Sequence, residues 1–339
     1  MSPTERGPQT PAAAADTKSG AREDHPHRAP AVPRGNSKAL AILLHGLIDD
    51  GGLFPPAPLP MRQAVERYRA DRTVGHPMHT GRLLCPRKAL PELYAHLGAD
   101  EQIAVGLVEE QVEEIAHAAP VDPRVHITHY EIRASWSEVG KTVRYLRAMT
   151  FPTAGRRRLW GRRARTGGEA AHVRPIFIEF DRSREGLDSI AGLAGVPHAG
   201  ARLRCSGATE DDFPRPEEVA EFLVRCFDHD VPFRLSAGPH HAVRHTDPLS
   251  GFVHLGYLNL LAGAAVAAHG GGPNKVLRAL VITDLQRLLE RIYAIGEETA
   301  LRIRELFRGY GARSTRDPVV EAEQLGLVTP PAAGAGWTA

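Results

Sequence analysis

From Lys38 onward, short apolar runs alternate with longer amphipathic stretches about eight times. The apolar runs predict strands near 39–48, 82–85, 103–108, 125–132, 174–180, 201–206, 232–237 and 252–258. The run Ile176-Phe177-Ile178 is rich in β-branched and aromatic residues, as a buried strand is. Helical spacing recurs between the runs. Met61, Val65 and Tyr68 share one stripe, as do Val139, Val143 and Leu146, and Val219, Phe222 and Leu223. Pro216 with acidic residues in the following turn marks a helix start. Strands alternating with helices imply a parallel sheet with right-handed crossovers. Eight such units predict an α/β fold of the (β/α)8 TIM-barrel type, with a doubly wound open sheet as the alternative. No GxGxxG motif follows the first strand and there is no P-loop, so a nucleotide-binding sheet lacks its signature.

The flanks differ in texture. Residues 1–37 mix Pro, Ala, Gly and both charge signs without apolar periodicity and predict a disordered tail. The barrel is expected over 38–272. Val276, Leu277, Leu280, Leu285, Leu288 and Leu289, continued by Leu301, Ile303 and Leu306, predict a C-terminal helical cap over 273–329. Residues 330–339 are Pro/Ala/Gly-rich and predict a second disordered tail.

Composition narrows the function classes. The 339 residues carry 42 basic and 40 acidic side chains, a net charge of +2 that gives no reason to expect a polyanion as partner. The basic insert Arg156–Arg165 offers a single Trp160 for base stacking, so it reads as a solvated loop rather than a nucleic-acid contact. The longest apolar runs contain Gly, Asn or His and fall short of a membrane span. The N-terminus lacks an apolar signal core. Cys85, Cys205 and Cys226 form no CxxC pair, which fits a reducing cytoplasm. A cytoplasmic barrel acting on a small molecule is the expectation, with oligomeric state left open.

In a parallel barrel the active site lies where the strands end at their carboxyl side. Those ends carry Asp49-Asp50-Gly51-Gly52, His129-Tyr130-Glu131, Glu179-Phe180-Asp181, Arg202 to Gly207, and Arg234 to Gly238 followed by His240-His241. The last predicted strand holds His254 and ends near Asn259. Strand alternation puts Arg202, Arg204 and Ser206 on one face, and Arg234 with Ser236. Buried charges need partners, so Glu131, Glu179 and Asp49 are expected to face these arginines. Two readings stand side by side: an ion-pair layer plugging the barrel, or an anion-binding floor, since the guanidinium fork matches carboxylate or phosphate. The Gly207 and Gly238 turns could also cradle a phosphate with backbone N–H groups, or simply permit the chain to turn.

His240 and His241 are the candidate acid/base groups, with Glu179 or Glu131 as partner. Arg202, Arg204, Arg234 and Ser236 would bind the anion, and Asp49, Asp50 and Asn259 would position substrate. No cofactor is indicated outright. A divalent metal on one of the two histidines, a strand-one aspartate and Asn259 remains open. Adjacent side chains on an extended segment diverge, so only one of the pair could ligate. The Asp-Asp-Gly-Gly run equally suits a turn. Cys205 lies on the face opposite Arg204 and reads as a buried, inert thiol.

The strings LIDDGGLFPPAPLPM, RLRCSG with a downstream FP, PFRLSAGPHH, GYLN and ELFRGYGARSTRDPV resemble a bacterial family described only as β/α-barrel domain proteins of unknown function. The resemblance spans nearly all of 39–328 and implies a barrel with a helical tail. Members tend to carry lysine where this chain has Arg202 and Arg234, and Ser-Cys-Ser where it has Ala312-Arg313-Ser314. An arginine forms no Schiff base at neutral pH. None of the five lysines (Lys18, Lys38, Lys88, Lys141, Lys275) falls in a late strand. The expected chemistry is therefore lyase or isomerase acid/base catalysis without an imine. The alternative is a non-catalytic barrel that binds a ligand or serves in an assembly.

Overall fold

The computed structural model describes residues 37–109, 115, 121–150, 174–205, 207 and 209–329, within one unit of the chain. The expectations for 1–36, the basic insert 156–165, Ser206 and 330–339 lie outside the described residues.

Eight parallel strands close into a barrel. They are β1 (Ile48–Asp50), β2 (His79–Pro86), β3 (Ile103–Val108), β4 (Val125–Arg133), β5 (Ile176–Glu179), β6 (Ala199–Arg204), β7 (Phe233–Ser236) and, after a short antiparallel hairpin of β8 (His245–Thr246) and β9 (Val253–His254), β10 (Phe307–Ala312). Their order around the barrel is β1-β10-β7-β6-β5-β4-β3-β2. Helices α1 (Ser37–Leu44), α2 (Met61–Val74), α3 (Leu90–His96), α4 (Val139–Thr150), α5 (Arg184–Asp188), α6 (Pro216–Asp228), α7 (Tyr257–Ala268), α8 (Pro273–Leu280), α9 (Leu285–Tyr293), α10 (Glu297–Leu306) and α11 (Arg316–Gln324) accompany them. The chain is a (β/α)8 barrel. No described helix is long and apolar enough to cross a membrane.

Two strand expectations are corrected. The run predicted as strand 39–48 is mostly helix α1. Its Ala/Leu content favours a helix, and Leu40, Leu43 and Leu44 are buried. The predicted strand 252–258 contains only Val253–His254 of the hairpin, and Tyr257 already opens α7. The eighth barrel strand is β10, whose sequence FRGYGA has two glycines and an arginine that mask a strand pattern. The stretch 273–329 is therefore not a cap appended to a barrel ending at 272. Helices α8–α10 belong to the connection between β7 and β10, and only α11 follows the last strand.

Strand alternation divides the barrel into two cores. Outward residues of the first strands, Leu83, Cys85, Val105, Leu107 and Val125, pack with Met61, Val65 and Tyr68 of α2 and Leu93 of α3. Each fully buried aliphatic side chain of this kind contributes about 1.5–3 kcal/mol. Inward positions are largely charged. In β4 a register shift opposite Val105/Gly106 inserts one extra residue. It reverses the facing, so Val125 and Ile127 pack outward while His129 and Glu131 point into the barrel. Gly106 on the neighbouring strand leaves room for the His129 ring. A methyl group there would collide with that ring and lie 2.6 Å from Leu84 Cδ2.

Candidate functional site

The inward charges form one continuous ladder. Arg234 on β7 is wholly buried. It donates from Nε to Glu131 Oε1 (3.1 Å) and from Nη2 to Asp49 Oδ2. Asp49 Oδ1 also accepts from Arg82 Nε (2.8 Å) and the Thr80 hydroxyl. On the other side Arg202 bridges Glu131 (3.3 Å) and Glu179 (2.8 Å). Glu179 completes the chain with Arg204 Nε (3.0 Å) and Arg133 Nε (3.2 Å). Arg234 also lies over the Phe177 ring, 5.5 Å from its centre.

Burial alone raises the Asp49 carboxyl. Arg234, Arg82, His129 and the Thr80 hydroxyl outweigh it and hold Asp49 below its ordinary value. Glu131 behaves alike: burial pushes it up, while Arg202, His129 and Arg234 hold it well below the usual carboxylate range. His129 is pushed down to about 4, first by burial and then by Arg234, so its ring is neutral at neutral pH. The sequence expectation that Glu131, Glu179 and Asp49 face Arg202, Arg204 and Arg234 matches this geometry. The ladder is the ion-pair layer of the two readings given above. Its guanidinium groups are already engaged by carboxylates.

A small cleft opens just beyond the ladder, at the carboxyl ends of β6, β7 and β10. Cys205 and Phe213 come from the β6 exit, Ala237 to His240 from the β7 exit, Arg313 from the β10 exit, and His254 and Leu255 from the hairpin and the residue after it. The β7 exit is sharply bent. Ala237 has φ 50, the left-handed region, which costs an L-alanine about 1–2 kcal/mol. Gly238 follows, and its N–H bonds to Gly311 O (2.8 Å), tying the turn to β10.

This turn delivers His240 into the cleft. Both ring nitrogens of His240 are buried without a hydrogen-bond partner, as are Arg313 Nε and His254 Nε2. Burial and then Arg313 push His240 down to about 4, with His241 and His254 acting in the same direction and Asp317 against it. His254 is lowered by burial and by His245, and stacks on Phe213 at 4.7 Å. A neutral imidazole beside a fixed guanidinium can accept a proton at neutral pH while the cation holds an anion. Burial pushes the Cys205 thiol in the same wall up to about 12, so it is inert.

The remaining expected site residues lie elsewhere. His241 turns outward, half exposed, with Nδ1 3.5 Å from Glu321 Oε2 and its ring against His245. Asp50 faces away from the barrel interior, bound by Arg67 and by the Gly52 N–H, and so anchors the loop that follows β1. Arg67 extends this tie to the β10 exit, donating to Arg313 O (2.6 Å). Asn259 is corrected most. It sits on α7, accepts from Arg244 N (2.7 Å) and donates to Ile282 O (2.7 Å), which pins the base of the hairpin to the following helices. Its side chain is occupied by backbone. Glu131 and Glu179 are bound to arginines and are not among the charged neighbours of His240. Ser236 is buried on β7 with an unpartnered hydroxyl.

The set Asp49, histidine and Asn259 does not assemble. Among the described residues no three His, Cys, Asp or Glu side chains come together to hold a metal ion. The described lysines, Lys38, Lys88, Lys141 and Lys275, are all exposed.

Arg313, Phe213 and Glu321 escaped the sequence reading. Arg313 was visible as a departure from the Ser-Cys-Ser pattern, but only the placement of β10 makes it a strand-exit residue. A comparison with models of known protein families returned no match, and a comparison with curated proteins returned none either.

Proposed function

We propose that the cleft at the ends of β6, β7 and β10 binds a small anionic metabolite, carboxylated or phosphorylated, and that His240 moves a proton on it in lyase- or isomerase-type chemistry. The observation that carries this reading is the convergence, in one cleft, of a neutral histidine and an arginine whose buried nitrogens have no partner in the protein. Such groups cost about 1–3 kcal/mol each to bury unless something meets them. A bound anion supplies that partner. Arg313 orients it, His240 exchanges the proton, and the walls of Phe213, Leu255 and Pro239 restrict water. Imine formation has no support, since the described lysines are exposed. The resemblance to the uncharacterised β/α-barrel family belongs to this reading: the histidine segment is kept, while arginines replace the two lysines.

A second reading, binding without turnover, is favoured by one observation. The two glutamates expected as partners of His240 are committed to the ladder. The two readings separate in deuterated water. A proton-transferring enzyme exchanges the carbon-bound hydrogen next to the carboxyl group of a bound acid, and His240→Asn abolishes the exchange. A protein that stabilises against heat with such acids yet exchanges nothing is a binding module.

A further inference from the structure

Resting on that reading, we infer that the ligand of the cleft is a short hydroxy monocarboxylate rather than a phosphate. The first argument is charge. Among the described residues Arg313 is the only arginine or lysine lining the cleft, and His240 and His254 contribute uncharged rings. One guanidinium matches one carboxylate, whereas a phosphate dianion calls for more positive charge or a cradle of backbone N–H groups.

The second argument is that three of the backbone donors around the cleft are already engaged. Gly238 N–H goes to Gly311 O (2.8 Å), Cys205 N–H to Ser236 O (2.9 Å), and Phe213 N–H to Glu210 O (3.0 Å). The Gly207 turn, the other place for a phosphate cradle, is packed against the Asp212 carboxylate, which would meet any side chain added at Gly207. That same carboxylate accepts from Thr209 N (2.9 Å). An anion approaching this turn therefore meets a negative charge where a phosphate loop would offer donors.

The third argument fixes the hydroxyl. Whichever tautomer His240 adopts, one ring nitrogen of the neutral imidazole is an acceptor. A plain carboxylate has no donor to give it. An oxo acid has none either, and an ammonium would sit beside Arg313. A hydroxyl next to the carboxylate supplies the donor without adding charge. The short carbon skeleton then lies against Phe213, Pro239 and Leu255.

Titration calorimetry on the full chain tests this with glycolate and lactate, their counterparts acetate and propionate, and inorganic phosphate and glycerol 2-phosphate. A companion Arg313→Met variant must match the parent in urea unfolding. Glycolate or lactate is expected to bind, acetate and propionate about tenfold more weakly, and Arg313→Met to weaken the hydroxy acid by about tenfold or more. The phosphates should neither bind nor compete. Phosphate binding that equals or exceeds that of the hydroxy acids and disappears in Arg313→Met would leave the site in place but overturn the ligand class. No binding of any probe, or binding indifferent to Arg313→Met, would overturn the site itself.

Discussion

Replacing Arg234 with methionine removes the guanidinium that joins Asp49 to Glu131. Methionine keeps much of the volume, so the loss is chiefly of charge and hydrogen bonds. Neither carboxylate becomes bare. Asp49 keeps Arg82 and Thr80, and Glu131 keeps Arg202. Even so, truncating one member of a buried ion-pair network costs about 3–5 kcal/mol, because the remaining charges have lost their solvent and gained no substitute. That is a large part of the roughly 5–15 kcal/mol that holds a folded domain together. Without Arg234, burial acts on Asp49 and Glu131 with less opposition. Both carboxyls should titrate higher than in the parent, so the variant's stability deficit should narrow as pH falls through the carboxylate range. Urea unfolding followed by circular dichroism measures the loss. A double-mutant cycle with Glu131→Gln isolates the pair and should give a coupling of about 1–3 kcal/mol. A loss below about 1 kcal/mol for Arg234→Met, or additivity within about 0.5 kcal/mol in the cycle, would refute the view that the ladder is a structural layer.

Other outcomes follow from the same geometry. His129 and His240 are held near 4 against an ordinary value of 6.5, so between these values the unfolded chain binds protons that the folded one does not. Stability should therefore fall as pH drops from 6.5 to 4, on the order of 3 kcal/mol for the fully buried His129 alone, and His129→Asn should flatten that part of the urea-midpoint profile. Gly106→Ala drives a methyl group into the His129 ring and Leu84, and should cost about 1–3 kcal/mol in the same unfolding assay. Asn259→Leu strands the Arg244 N–H and the Ile282 carbonyl, with an expected loss of about 1–3 kcal/mol and faster amide exchange at Arg244.

The barrel was legible because its middle strands are short β-branched or alternating runs flanked by helical spacing. Strand β3 lies where the pattern puts it, and β4 to β7 fall within a few residues of expectation. The pairing of Arg202 and Arg234 with Glu131 and Glu179 was also legible, because inward charges in a closed barrel have only one another as partners. The ends of the barrel were not. Apolar periodicity does not separate an Ala/Leu helix such as α1 from a buried strand, and β10 hides behind Gly309 and Gly311. Missing β10 had a direct consequence for the site. It removed Arg313 from the strand exits and put Asn259 there instead. The divergence of His240 and His241 was foreseeable from extended backbone geometry, but which ring enters the cleft depends on the left-handed Ala237, for which alanine gives no signal.

The most direct test is nuclear magnetic resonance of the full chain with nitrogen-labelled histidines, titrated with glycolate. The ring signals of His240 and His254 should shift with the ligand, while those of His129 inside the ladder stay fixed. Shifts at His129 with His240 and His254 unmoved would place the anion on the barrel floor and contradict the assignment of the cleft as the binding site.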